Sequence, residues 1–215
     1  STDKYQCVEI KKGSWKIIDT PPSVFHRDSN DKEQVVPVYD EDFDFLDTIM
    51  KFFNFSTEED AKLFSIWLIS AFIPDVTHPL LVFTGAHASG KSSACTMIQE
   101  LISPRCVDRM AFPKKVDDLV ISLANHCISV FDNCSARRIG EDVSDILCQS
   151  VSGGFYTKRK LYSDMDTVTI PLKGMVVMNG CDSLVERPDL VSRVLQFNFS
   201  SIEGERLETD QKLME

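Results

Sequence analysis

Residues 80–99 read LLVFTGAHASGKSSACTMIQ and combine three patterns that together decide the fold. Residues 80–83 form a short apolar run, which is typical of a strand buried in a parallel sheet. A loop bounded by glycines follows, and after Lys91 apolar residues recur at helical spacing over residues 94–101. The stretch therefore predicts a strand, a tight loop and a helix in succession.

The loop matches the pattern G-x-x-x-x-G-K-S over residues 85–92. Glycines let the backbone curl around a phosphate chain without Cβ clashes, and the positive end of the helix dipole lies at the same place. Lys91 then reaches the β- and γ-phosphates, and the Ser92 hydroxyl ligates Mg²⁺. A chance glycine loop would not explain the strand before it and the helix after it, so the pattern predicts a site for ATP and Mg²⁺. The residues expected to contact the nucleotide are Gly85, Ala86, His87, Ala88, Ser89, Gly90, Lys91, Ser92 and Ser93.

The composition limits the class of protein. A chain of 215 residues with 43% hydrophobic residues is long enough for one large domain with a real core. The net charge of −10 argues against a generally basic nucleic-acid-binding surface, although a small basic patch is compatible with it. No run of about 18 apolar residues and no apolar leader is present, so neither a membrane span nor a secretory signal is predicted.

Seven cysteines are spread along the chain without a C-x-x-C pair. This spacing favours reduced thiols in a cytoplasmic protein over disulfides or a metal site. Cys95, Cys127 and Cys148 lie in apolar contexts and are expected to be buried.

The apolar patterns divide the chain into four parts. Residues 1–40 are predicted to hold two short strands and a polar loop. Residues 41–74 are predicted to form two helices, the second beginning with a capping box at Ser56, buried on all sides and containing Trp67 as a core residue. Residues 75–205 would form the ATPase core, and residues 206–215 resemble the start of a truncated C-terminal helix.

Strand-like and helix-like segments alternate within the core. The predicted strands cover residues 79–84, 126–132, 174–179 and 194–199. The predicted helices cover residues 91–102, 115–124 and 141–152. Such alternation is typical of a parallel sheet with helices on both faces. The predicted fold class is therefore α/β, a P-loop NTPase domain with a parallel sheet flanked by helices and a small mixed N-terminal lead-in.

Two polar residues at the ends of predicted strands are candidates for the rest of the phosphate machinery. Asp132 emerges at the carboxyl end of its strand, where a P-loop NTPase needs an acid for the Mg²⁺ water shell. Asn179 ends the next strand, and a polar group there can orient the attacking water beside the γ-phosphate. The alternative is a turn residue before Gly180.

Asn133 raises a question about turnover. Many ring ATPases have a glutamate at this position as the base that activates water, and an amide cannot abstract a proton. Either Glu141 or Asp142 acts as the base, or Asp132 polarises the water itself, or hydrolysis is slow.

An arginine precedes the last predicted strand. In oligomeric ATPases an arginine at this position, here Arg193, can reach the γ-phosphate of a neighbouring subunit. Arg187 is the second candidate, and both residues can also be ordinary surface arginines.

Residues 153–174 predict a β-hairpin with a basic first arm and a turn at 163–166. Basic side chains neutralise phosphates, and a tyrosine can stack on a base. A solvated edge strand kept from aggregating by its charge is an equal alternative. The residues that would contact nucleic acid are Tyr156, Lys158, Arg159 and Lys160.

The order of these motifs resembles the AAA+-related superfamily three helicases, and especially helicase-like ATP-binding proteins of phages and integrative elements. The matching segments are GAHASGKS at 85–92, ISVFDN at 128–133, GGFYTKRKLYSD at 153–164, GMVVMNG at 174–180 and RPDLVSRVL at 187–195. The resemblance implies that Lys91, Asp132, Asn179 and Arg193 are the catalytic residues. It also implies that Ser92 and Asp132 hold the metal.

Members of that group form hexameric rings that translocate on single-stranded DNA. The resemblance therefore implies an ATP-hydrolysing motor domain, and more specifically a DNA helicase, for replication of a phage or mobile element. Two departures from that group are Asn133 and, as an expectation, a truncated C-terminal helical part. An ATP-binding switch or scaffold with poor turnover is the main alternative. A P-loop small-molecule kinase fits less well, because 84 residues precede the loop.

Overall fold

The computed structural model describes residues 6–20, 29–73, 75–160, 166–181 and 183–201. Contacts between residues divide the chain into two compact units, Ser1–Asp31 and Lys32–Glu215. The predicted helix start at 206–215 and most of the predicted hairpin turn, at 163–165, lie outside the described residues.

The helices and strands of the core lie close to their predicted bounds. The described strands are β1 (Cys7–Lys11), β2 (Ser14–Ile18), β3 (Leu80–Gly85), β4 (Met110–Ala111), β5 (Ile128–Asp132), β6 (Phe155–Arg159), β7 (Thr167–Pro171), β8 (Met175–Asn179) and β9 (Val194–Phe199). The described helices are α1 (Phe45–Phe52), α2 (Glu58–Ser70), α3 (Lys91–Ile102), α4 (Val116–Asn125), α5 (Glu141–Ser152) and α6 (Pro188–Val191). The sequence pattern does not predict β4, because two residues are too few to show a period.

Five of the described strands form one parallel sheet in the order β4-β5-β8-β3-β9. β3 lies between β8 and β9, with Phe83 opposite both Asn179 and Phe197. β5 pairs with the other side of β8, where Phe131 lies opposite Met178. This parallel sheet flanked by helices confirms the predicted α/β P-loop-type fold.

Helices cover both faces of the sheet. Successive residues of β3 point to opposite faces, so they pack against different helices. Leu81 and Phe83 pack into a core shared with α1, α2 and α3. Leu80 and Val82 pack into a second core shared with α4 and α5. All four residues are fully buried, so the carboxyl end of β3 is held rigidly between two packed layers.

The start of α2 differs from the predicted capping box. Thr57 is the N-cap, and its Oγ1 accepts the Asp60 backbone N–H at 3.1 Å. The Ser56 hydroxyl instead donates to the carbonyl of Asn198 at 2.9 Å. Ser56 therefore joins the lead-in to the end of β9 rather than capping the helix.

The predicted burial of α2 on all sides is wrong. Phe64 and Trp67 are buried against the sheet, as expected for Trp67, whose Nε1 donates to the Pro79 carbonyl at 3.0 Å. The opposite face is open because the helix packs on one side only. The exposed apolar residues of this face are Leu63, Ile66 and Ile69.

Two antiparallel hairpins complete the described structure. β1 and β2 form the first, and β6 and β7 form the predicted second one, with Lys158 opposite Val168. In the part of the chain that the structure describes, no helix is both long enough and apolar enough to cross a membrane.

Candidate nucleotide-binding site

The predicted phosphate machinery lies along one edge of the sheet. β3, β8 and β5 are neighbours and parallel, so their carboxyl ends, at Gly85, Asn179 and Asp132, meet at the same edge. Ligands of open α/β sheets bind at this edge, outside the ends of the strands. The topology therefore brings together residues that are far apart in sequence.

The loop after β3 has a backbone that few side chains allow. Gly85 and Gly90 have φ of 142° and 85°, and a Cβ on Gly85 would overlap the carbonyl oxygen of Phe199. Gly85 is thus required by the close approach of β9 as well as by loop curvature. Ala88 also has a positive φ, 55°, which costs about 1 kcal/mol for a residue with a Cβ. Backbone strain of this kind often occurs at ligand-binding loops.

The loop delivers the chain into α3, which begins at Lys91 after Gly90. The first turn of α3 has no acidic residue, so its free N–H groups and dipole are available to an anion.

Lys91 is buried and bound by its own loop. Its Nζ donates to the carbonyls of Gly85 at 2.9 Å and Ala86 at 2.5 Å, and to the Ser89 Oγ at 3.1 Å. These three acceptors satisfy the three N–H donors of the ammonium group. The loop therefore fixes a positive charge at its centre.

Asp132 is the centre of the polar cluster. Its Oδ1 accepts hydrogen bonds from the Ser92 Oγ at 2.9 Å and from the Asn179 Nδ2 at 2.7 Å. Its Oδ2 accepts one from the Arg109 Nη1 at 2.8 Å. The structure thus brings together the predicted residues Ser92, Asp132 and Asn179, and it adds Arg109.

Arg109 is the site residue that the sequence pattern does not reveal. It lies directly before β4, whose Ala111 pairs with Asp132 in the sheet. No local spacing or motif marks an arginine at this position. Only the placement of β4 beside β5 brings it to the site.

Asn179 is buried, and both polar atoms of its amide have hydrogen-bond partners. It is 2% exposed, its Nδ2 also contacts the Cys95 Sγ at 3.3 Å, and its Oδ1 accepts the Asn133 backbone N–H at 2.8 Å. This network fixes the orientation of the amide. In this structure Asn179 holds the Asp132 carboxylate and the backbone that follows it.

Asn133 is exposed and has a φ of 54°, a left-handed conformation that asparagine tolerates better than most residues. The backbone thus gives a structural reason for an asparagine at position 133.

Of the two suggested alternative bases, Glu141 is highly exposed and lies 3.9 Å from the Arg187 guanidinium. Arg187 also contacts the Asp145 carboxylate at 3.2 Å.

The residues present fit Mg²⁺ together with a phosphate chain. Among the described residues no group of three His, Cys, Asp or Glu side chains could hold a metal by itself. Mg²⁺ usually takes one or two protein oxygens and completes its shell with phosphate and water. The Ser92 hydroxyl and Asp132 carboxylate, in contact with each other near the amino end of α3, are oxygen ligands of that type.

The thiols beside the site, Cys95 and Cys134, are unreactive at neutral pH. Burial raises the pKa of Cys95 to about 12 and that of Cys134 to about 12, so both stay protonated at neutral pH. All seven cysteines are free, as predicted, and Cys95 and Cys148 are buried. The expectation that Cys127 is buried is wrong, because it is exposed just before β5 begins.

The basic hairpin presents two different faces. Tyr156 and Lys158 point toward α4, where the Tyr156 hydroxyl donates to Asp117 Oδ1 at 3.2 Å and the Lys158 Nζ lies 3.3 Å from Asp117 Oδ2. Arg159 and Phe155 lie on the opposite, exposed face of β6. Two of the four predicted nucleic-acid contacts are therefore engaged by α4. Arg159 and Lys160 are exposed.

Arg193 lies at the amino ends of the strands, opposite the end where the glycine loop lies. Its carbonyl accepts the N–H of Leu80, at the amino end of β3. Its guanidinium donates to the Asp189 carboxylate and to the Asp189 carbonyl at 2.7 Å. It is therefore separate from the polar cluster of its own chain.

The parallel sheet and the converging loop, acid and amide define the chain as an α/β P-loop-type domain. The family model for the Actinomycete integrative conjugative element replication protein matches residues 46–213, and the chain belongs to that family. The resemblance to helicase-like proteins of integrative elements is thus confirmed. No curated protein matches the chain by sequence.

The chain is similar to several solved structures at low sequence identity, and the one with a TM-score above 0.5 has the same fold. The apo C-terminal region of NrS-1 has a TM-score of 0.52 and 15% identity, covering 95% of this chain and 49% of that one. A second apo structure of that region has a TM-score of 0.49, 13% identity and coverages of 95% and 49%. The JCV helicase bound to an acetamide compound has a TM-score of 0.43, 14% identity and coverages of 79% and 49%. The chain therefore spans about half of each of these structures.

Proposed function

We propose that this chain is the ATP-hydrolysing motor domain of a helicase-like replication protein that moves on single-stranded DNA. The observation that carries the proposal is the contact of Asp132 Oδ1 with both the Ser92 hydroxyl and the Asn179 amide, at the mouth of the glycine loop. Membership of a family of element replication proteins supports a role in replication.

Each residue of the cluster has a separate role at the triphosphate. Lys91 exchanges its bonds to loop oxygens for bonds to phosphate oxygens, so its charge is already in place when the nucleotide arrives. Ser92 and Asp132 would hold Mg²⁺, which would neutralise charge on the phosphates. Asn179 keeps the Asp132 carboxylate oriented.

The exposed face of the hairpin is the proposed contact with the DNA strand. Arg159 and Lys160 offer positive charge to phosphates, and the exposed ring of Phe155 offers a surface for a base. Tyr156 and Lys158 tie the hairpin to Asp117 of α4, so movement of the core is passed to the hairpin. The residues Tyr156 and Lys158 then act on DNA mainly through this tether.

Assembly into a hexamer would bring a residue of one subunit to the nucleotide of the next. Arg193 fits this role because it lies away from the cluster of its own chain. Mixing Arg193→Ala subunits with Lys91→Ala subunits should restore part of the lost activity. Verified mixed oligomers without restored activity would contradict a shared site.

An ATP-binding switch with poor turnover is the second candidate, and Asn133 favours it. Its exposed side chain is at the position of the expected base, and it has no acidic group. Slow hydrolysis with tight ATP binding would support the switch.

The test measures ATP hydrolysis by the protein at low salt, with and without single-stranded DNA. Stimulation by DNA in the parent, lost in Arg159→Ala but kept in the matched variant Arg137→Ala, is the expected result. Equal rates with and without DNA would contradict the motor. A rate stimulated only by a small-molecule phosphoryl acceptor would favour a kinase instead.

A further inference from the structure

Arg109 occupies one oxygen of the acid that is central to the site. Its Nη1 lies 2.8 Å from Asp132 Oδ2, whereas Ser92 and Asn179 both bind Oδ1. The two side chains are only partly exposed, at 35% for Arg109 and 25% for Asp132. This contact therefore covers the carboxylate oxygen that the predicted residues leave open.

A second carboxylate lies within reach of the same guanidinium. Asp108 Oδ2 is 3.7 Å from the Arg109 Nε, and that Nε has no hydrogen-bond partner among the residues that the structure describes. Asp108 is itself held, because its Oδ2 accepts the Thr96 hydroxyl of α3 at 2.7 Å. The Arg109 guanidinium therefore lies between two carboxylates, those of Asp132 and Asp108.

We propose that Arg109 is a positioning residue that sets the Mg²⁺ requirement of the nucleotide site by competing with the hydrated cation for Asp132 Oδ2. The proposal rests on the nucleotide-binding function proposed above. A guanidinium stays charged at all physiological pH values, so the competition is between two cations for one oxygen. In the presence of Mg²⁺ and nucleotide, the Arg109 guanidinium binds the Asp108 carboxylate instead of the Asp132 carboxylate.

The contact has the strength that a competitor needs. A charge-assisted hydrogen bond is stronger than a neutral one, yet solvent weakens a pair that is partly exposed. Arg109 reaches Asp132 with one nitrogen rather than two, which makes release easier. A fully buried bidentate pair would block the metal instead of tuning its binding.

The test is equilibrium binding of a fluorescent ATP analogue at fixed concentration, titrated with Mg²⁺. Arg109→Gln should lower the Mg²⁺ concentration at half-saturation by about threefold to tenfold, because the competitor for Asp132 is gone. In EDTA the same variant should bind nucleotide more weakly than the parent, because the Asp132 charge then faces the phosphates unneutralised. Arg137→Gln, which removes an exposed arginine, is the matched control and should match the parent.

Asp108→Asn tests the role of Asp108 as the alternative partner of Arg109. Asparagine keeps an acceptor for the Thr96 hydroxyl but loses the charge. The substitution should raise the half-saturating Mg²⁺ concentration, because Arg109 then has no alternative carboxylate. In the Arg109→Gln background the same change should have no effect, and a persisting effect would overturn the role of Asp108.

The results separate this proposal from the wider one. A parent protein without any Mg²⁺-dependent nucleotide binding would contradict the proposed function. A parent that binds normally, together with an Arg109→Gln variant whose half-saturation is unchanged or raised, would overturn only the role of Arg109. Thermal denaturation of each variant confirms that it is folded under the conditions of the titration.

Discussion

Replacing Asn179 by aspartate changes one group of the buried network and keeps its shape. The Asn179 Nδ2 lies 2.7 Å from Asp132 Oδ1, so the substitution puts two carboxylate oxygens at that distance. At an effective dielectric constant of about 20, the repulsion between two unit charges is about 6 kcal/mol. Taking up a proton costs less, about 4 kcal/mol at pH 7 and about 1 kcal/mol at pH 5 for a carboxyl with an ordinary pKa near 4. The protein should therefore take the cheaper route and bind a proton.

The sign of the pH dependence follows from that proton. The introduced carboxyl has a folded pKa raised above its unfolded value, so the variant is closest to the parent below about pH 4 and loses stability as pH rises through the folded pKa. A loss of about 4 kcal/mol at pH 7 corresponds to a melting temperature lower by about 10 °C in a domain of this size. The difference should shrink to a few degrees at pH 5.

The assay is thermal denaturation of the parent and of Asn179→Asp at pH 7 and pH 5. Asn133→Asp is the matched control, because it adds the same charge one residue from Asp132 on an exposed side chain. Surface substitutions usually change stability by less than about 0.5 kcal/mol. A loss at pH 7 no larger than that of the control, or one that does not shrink at pH 5, would refute the account of Asn179.

Three further predictions concern the loop, a buried thiol and the hairpin. Ala88→Gly should raise the free energy of unfolding by about 1 kcal/mol in denaturant titrations, because the alanine φ is 55°; an equal or lower value would show that the loop is unstrained. The pKa of Cys95 is about 12 in the folded protein against an ordinary 9.0. Unfolded chains therefore lose that proton first, and stability should fall between those values by about 1.4 kcal/mol per pH unit. Cys95→Ala should flatten the alkaline slope, and an unaltered slope would contradict the assignment. Arg159→Ala should reduce the salt slope of single-stranded DNA binding by about 0.7, whereas Lys158→Ala should change it less; the reverse order would assign the contact to the inner face of the hairpin.

The sequence predicts the sheet well because the evidence for it is local. The apolar run at 80–83 and the alternation of strands and helices fix the fold class, and the structure confirms both. The contact among Ser92, Asp132 and Asn179 also follows from simple topology, since the carboxyl ends of parallel strands meet at one edge.

The errors occur where tertiary packing decides. Leu63 and Ile66 are as apolar as buried residues, yet they are exposed because α2 has only one face against the sheet. Cys127 lies in an apolar context but precedes its strand by one residue, which leaves it exposed. Arg109 joins the site through β4, a strand too short to produce a pattern. None of these outcomes is encoded in local spacing.

Hydrolysis of ATP by Asp132→Asn, measured beside the parent, tests the central claim most directly. The asparagine keeps the size of the side chain, but it removes the charge that Ser92 and Arg109 contact. We expect ATP binding to remain measurable and hydrolysis to fall by at least about a hundredfold, the range typical for loss of a preorganised charged group. Hydrolysis at the rate of the parent would contradict the assignment of this cluster as the site of the reaction.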